Sequence, residues 1–114
     1  MSQRQERVEE LLRHALSEIL QREVRDPRVR LATVSHLRVS RDLAHADVGV
    51  SVLGSDEDRE TCIRVLERAK GFVRSALARK VHLRNIPELN FKLDRGAEHS
   101  QRITELLEDL NDDS

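Results

Sequence analysis

The sequence predicts an α+β fold, a mixed three-stranded sheet with helices on one face, in the order α-β-β-α-kink-α-β with a C-terminal helix. Three observations lead there. Apolar residues from Val8 to Leu20 recur at helical spacing, Ala46 to Val52 alternates apolar and polar residues, and Gly71 interrupts an otherwise continuous helical pattern. At 114 residues the chain reads as one domain, residues 1–110, followed by a disordered acidic tail at 111–114.

The first helix runs from about Gln3 to Arg22. Val8, Leu11, Leu12, Ala15, Leu16, Ile19 and Leu20 form its apolar stripe, and the opposite face mixes Arg and Glu. Asp26-Pro27 then ends helical structure, because the residue before proline is pushed out of the α region. Leu31 to Ser40 reads as a strand, with Leu37 and Val39 at period two. Ala46, Val48, Val50 and Val52 make a cleaner strand with one buried face. The link Ser40-Arg41-Asp42-Leu43-Ala44-His45 is short enough for an antiparallel hairpin. Asp42 is read as a turn residue that bonds nearby backbone amides.

Ser55 is a fitting N-cap for the next helix, and Asp56, Glu57 and Asp58 suit its positive end. Cys62, Ile63, Leu66, Ala69, Val73, Ala76 and Leu77 carry the stripe onward to about Leu83. Glycine inside a helix costs about 1 kcal/mol against alanine, so Ala69 and Gly71 are read together as an interhelical kink that Gly71→Ala would strain. After Pro87, Leu89, Phe91 and Leu93 alternate as a last strand. Ser100 caps a final helix with Ile103, Leu106, Leu107 and Leu110 on one side. Phe91 and Phe72, the only aromatic residues, are both assigned to the core.

Composition narrows the function. With 38% apolar and 36% charged residues, most of the surface must be charged. One cysteine, Cys62, permits no internal disulfide and suits a reducing cytoplasm; its place on a helical stripe makes it a buried thiol. No apolar run reaches the roughly 18 residues of a membrane span, and no secretory signal opens the chain. The five histidines show no metal-ligand spacing, the four glycines build no phosphate loop, and no catalytic constellation stands out, so neither enzyme activity, metal nor cofactor is expected.

Charge distribution is more telling than the net charge of −1. Between Glu67 and Arg84, six basic residues face one acid, a local +5; from Asp94 to Ser114 the balance is −5. Lys70, Arg74, Arg79, Lys80 and Arg84 lie in the basic segment. Arg22, Arg25, Arg28 and Arg30 form a second cluster at the end of the first helix and the loop after it. Such clusters neutralise phosphates, so these nine residues are the candidate RNA contacts, although from composition alone they are equally an ordinary solvated surface. With no ring to spare for stacking, binding is expected to rest on backbone charge and RNA shape, with stacking on Arg as an alternative to rings.

The element order is similar to that of type II KH domains, which normally carry a Gly-x-x-Gly loop absent here. Ala69-Lys70-Gly71 at the kink resembles the loop replacement of the ribosome-binding factor A family. So do Ile19 to Arg28, Val39 to Val48, Gly71 to Ser75 and Leu83 to Leu89, in the expected order across nearly the whole chain. The resemblance implies a KH-like domain, monomeric and without a cofactor, that binds the immature small ribosomal subunit near the 5′ end of its RNA. It implies help with processing and late maturation, above all in the cold, and transient company with other assembly factors. The chain ends soon after the final helix, so no role of a longer basic tail is expected. The competing readings are a protein-interaction or regulatory α+β module that never touches RNA, and an RNA-modifying enzyme.

Overall fold

A computed structural model describes residues 2–94. The elements are α1 (Gln3–Arg22), a single 3₁₀ turn (Pro27–Val29), β1 (Ala32–Val39), β2 (His45–Val52), α2 (Asp56–Arg68), α3 (Lys70–Lys80) and β3 (Glu88–Leu93). The final helix expected after Ser100 and the acidic tail lie outside the described residues.

β2 is the middle strand, antiparallel to β1 and parallel to β3, so the sheet is mixed. A parallel partner needs a long crossover, and α2 with α3 supply it. The alternating face of β2 is buried as expected: Ala46, Val48 and Val50 are inaccessible and Val52 nearly so. In β1 a bulge between Val34 and His36 shifts the register. Ala32 and Val34 point inward before it, Leu37 and Val39 after it, and Ser35 and His36 are both exposed. Leu89 and Phe91 complete the core from β3.

α1 starts in a capping box: Ser2 Oγ accepts the Gln5 N–H at 3.1 Å, and the Gln5 side chain accepts the Ser2 N–H at 3.3 Å. Its stripe packs on β1 and α3. Leu11 is a correction to that stripe. It is 44% exposed, because a residue next to Leu12 is turned by about 100° around the axis and leaves the buried face. β1 is an edge strand, and α1 covers part of that edge: Val39 N–H donates to Glu9 Oε1 at 3.0 Å and Gln5 Nε2 donates to Val39 O at 3.4 Å.

The hairpin link is held by Asp42. Its Oδ1 accepts the Ser40 hydroxyl at 2.6 Å and the Ala44 N–H at 3.1 Å, and these two donors keep its carboxyl below the usual carboxylate range. They compensate the left-handed backbone at Leu43 (φ 62°), which costs roughly 1–2 kcal/mol for a residue with a Cβ. Gly54, at φ +132°, makes the equivalent reversal after β2. Ser55 and Asp58 then cap α2 reciprocally, at 3.0 and 3.1 Å.

The break between α2 and α3 falls on Ala69, with φ −84° and ψ 2° in place of a helical ψ. The hydrogen-bond ladder still runs through it: Ala69 N–H donates to Val65 O and Ala69 O accepts from Val73 N–H, both at 2.9 Å. Gly71 lies in the first turn of α3, and a Cβ there meets nothing within 4 Å. Alanine therefore fits at 71, where the sequence led us to expect strain. α3 also stops at Lys80 instead of near Leu83, because Val81 turns extended (φ −118°, ψ 143°) and buries its side chain. The loop that follows is tied back by Arg74 Nη2, which donates to Ile86 O at 3.0 Å.

Two outcomes follow from these local geometries. Gly71→Ala should stabilise the protein by about 0.5–1 kcal/mol in urea unfolding, as alanine does at unstrained helical positions. A loss of stability would show that the backbone there needs glycine after all. The second concerns Asp26, which caps the 3₁₀ turn. Its carboxyl is lowered from an ordinary 3.8 to about 2, first by the Arg28 guanidinium and then by the Arg28 N–H. A depressed carboxylate stabilises the fold above its unfolded pKa and loses that contribution as pH falls through its folded one. The stability gap between wild type and Asp26→Asn should thus close from about pH 4 to about pH 2, and a carbon NMR titration of Asp26 should show its low midpoint.

Candidate nucleic-acid interface

Three helices pack their apolar faces onto one side of a small sheet, so their polar residues meet at the helix junctions. One such junction is an open groove of about 790 Å³ between the end of α1, the loop carrying the 3₁₀ turn, and the α2–α3 break. Val65, Ala69 and Phe72 supply its apolar lining. Arg22, Arg25, Arg28, Arg68 and Arg79 supply its charge, all of them exposed.

The arginines are not equivalent. Arg28 is committed to Asp26, with Nη2 to Oδ2 at 2.6 Å and Nε to Oδ1 at 2.9 Å, an ion pair that also shapes the turn. Arg22, Arg25, Arg68 and Arg79 have no carboxylate partner among the described residues. One other acid enters the groove. Glu23 Oε2 is shut off from solvent without a hydrogen bond, and Lys80 Nζ at 3.8 Å is within ion-pair reach only. Among the described residues the balance of the groove is positive, and guanidinium groups suit phosphate oxygens by charge and by their planar fork of donors.

The structure redistributes the nine residues picked out in the sequence. Arg22, Arg25, Arg28 and Arg79 come together in this groove. Arg74 and Arg84 line a second hollow of about 610 Å³ on another part of the surface, joined by Arg4 and the hairpin link. Lys70 pairs with Glu67 at 2.7 Å, and Lys80 sits between Glu18 at 3.6 Å and Glu23 at 3.8 Å. Arg30 is exposed and lines neither hollow.

Two residues of the groove escape the sequence reading. Phe72, assigned to the core, is 48% exposed; Val73, Ala76 and Leu77 already fill the inner face of α3, and Phe72 falls outside it. Arg68 counts in the sequence only as part of the basic segment. Spacing holds part of the signal: Phe72 and Arg79 stand seven residues apart, two turns along one face of α3, and Arg68 ends α2 four residues before Phe72. Cys62, by contrast, is buried as expected, and burial first, then the Asp26 charge, pushes its thiol up. Among the described residues no group of three His, Cys, Asp or Glu side chains could hold a metal, and no helix is long and apolar enough to cross a membrane.

Comparison with known proteins agrees with the fold. The family model of ribosome-binding factor A matches residues 4–107. Ribosome-binding factor A of Natranaerobius thermophilus is 46% identical over 108 residues, covering 95% of this chain and 82% of that protein. The crystal structure of ribosome-binding factor A from Thermus thermophilus superposes with a TM-score of 0.72 at 35% identity, covering 81% of this chain and 97% of that one. A homology model of the Thermus thermophilus factor, fitted into the cryo-EM map of its complex with the 30S subunit, gives a TM-score of 0.63 at 37% identity, covering 74% and 88% of the two chains. With a KH-like order of elements, a family match along nearly its whole length and relatives at this level of identity, the chain belongs to the ribosome-binding factor A family.

Proposed function

We propose that this chain is a cytoplasmic, non-enzymatic assembly factor that binds the free immature 30S subunit near the 5′ end of 16S ribosomal RNA. It acts as a monomer, meets other assembly factors only transiently, and promotes processing and late maturation of that RNA, above all in the cold. The observation that carries this reading is the groove with four guanidinium groups that no carboxylate of the described chain neutralises. The likeness to a relative fitted into a 30S complex supports the small subunit as the partner.

The mechanism needs no bond to be made or broken. A binder that prefers one RNA conformer shifts the population toward it by the difference in affinity between conformers. Low temperature slows escape from misfolded RNA helices, so the same bias matters more there. Arg22, Arg25, Arg68 and Arg79 are the primary phosphate contacts, Arg28 holds the loop that carries Arg25, and Arg74 and Arg84 form a second contact region. Lys70, Lys80 and Arg30 add positive potential nearby. The ion pair of Lys70 with Glu67 is a surface pair of small worth, so phosphate can replace the carboxylate there at little cost.

Replacing Arg22, Arg25 and Arg79 together with Glu should abolish co-sedimentation with free 30S subunits while leaving the thermal midpoint nearly unchanged, since all three are exposed. Neutralising each of them singly should lower the slope of log affinity against log salt by about 0.7–0.9 for every phosphate that the variant leaves unneutralised. Lys92, on the far side of the sheet beside Asp47 at 3.5 Å, serves as the control. Lys92→Glu should bind as wild type does. Full binding by the folded triple variant would remove the groove from the interface.

A further inference from the structure

Phe72 is one of two phenyl rings in the chain, and the other, Phe91, is buried. A half-exposed phenyl group keeps a large apolar area in water at roughly 25 cal/mol per Å², and the core has no use for it here. Its neighbour Gly71 leaves open space where a side chain would stand. The ring shares its groove with the apolar Val65 and Ala69 and with Arg22, Arg25, Arg68 and Arg79, which no carboxylate among the described residues pairs.

A flat apolar face beside such guanidinium groups suits a ligand that joins a flat, weakly polar ring to an anion within a few bonds. A nucleotide does this. Duplex RNA offers the phosphates but keeps the faces of its bases stacked inside, so it would leave Phe72 in water. An acidic peptide offers charge without a flat ring of its own. We propose that this groove takes one unpaired nucleotide of an RNA strand, its base stacked on Phe72 and its flanking phosphates on the surrounding arginines. The proposal rests on the reading of the groove as an RNA surface, and adds that the site selects unpaired RNA through its single exposed ring. The chain thus does have a ring to spare for stacking, contrary to what its composition leads one to expect.

The test uses the full chain and three probes of equal phosphate count: a single-stranded oligoadenylate, the same strand with its bases removed, and a duplex. Stacking on an aromatic side chain is worth about five- to 150-fold in affinity per base. Wild type should therefore bind the oligoadenylate at least about fivefold tighter than the abasic strand. Phe72→Ala and Phe72→Leu should erase that preference without changing the salt slope, and Phe72→Tyr should restore it. The leucine variant keeps an apolar side chain without a flat face, so it stands in if the alanine variant is poorly folded.

Equal preference for the oligoadenylate in wild type and both ring-less variants would overturn the stacking proposal, as would tighter binding to the duplex. If the Arg22, Arg25, Arg79 triple Glu variant still loses all three probes, the RNA-surface reading survives that failure. If it binds them all like wild type, that reading falls too. Binding of an oligoglutamate peptide that depends on Phe72, in place of RNA, would assign the groove to a protein segment and overturn the proposal.

Discussion

Everything in this structure is arranged around the need to cover one face of β2. Ala46, Val48, Val50 and Val52 form an apolar strip that a three-stranded sheet cannot bury alone. α1 covers it from the side of β1, and the α2–α3 crossover covers it from the side of β3. The crossover is also what lets β3 pair parallel to β2. Once three helices share one side of so small a sheet, their termini must crowd together at its ends. The basic groove is one such meeting place, where the end of α1, the 3₁₀ turn and the α2–α3 break converge. The position of the charge is thus a consequence of core burial, not an independent feature of the surface.

That dependence explains which parts of the protein are legible in the sequence. Elements written in apolar periodicity can be read with their boundaries nearly right: α1, β2 and β3 carry clean periods of 3.6 and 2. β1 is legible but its bulge is not, since Ser35 and His36 differ from an ordinary alternation only by one residue of phase. The end of α3 is placed too far along because Val81 continues an apolar stripe equally well in helical or extended backbone. The break at Ala69 is signalled by the neighbouring Gly71, yet the residue with the unusual ψ is the alanine. Glycine marks the region without being the cause.

The candidate site is legible only in part, for a different reason. Basic residues carry no periodic constraint, so the chain alone does not say which of them share a surface. Arg22, Arg25 and Arg79 meet because α1 packs against α3, a tertiary fact. Lys80 looks equivalent to Arg79 in the sequence, yet it turns toward α1 and lies between Glu18 and Glu23, while Arg79 enters the groove. Nearest neighbours on a helix point about 100° apart, and that angle separates a lysine occupied by carboxylates from an arginine left without one among the described residues.

Phe72 sharpens the same point. In a chain with two aromatic residues, assigning both to the core is the economical reading, and for Phe91 it holds. The core beneath α3 is nevertheless complete without Phe72, because Val73, Ala76 and Leu77 occupy the whole inward arc of an 11-residue helix. A ring placed one residue before Val73 must then point elsewhere, and the α2–α3 break at Ala69 turns that direction into the arginine groove. An isoleucine or leucine at 72 would fill the same space beside Val65 and Ala69 with as much apolar area. What an aromatic side chain adds is a flat, uncharged and polarisable face, which favours an unpaired base over a paired one without drawing on the arginines that hold the phosphates.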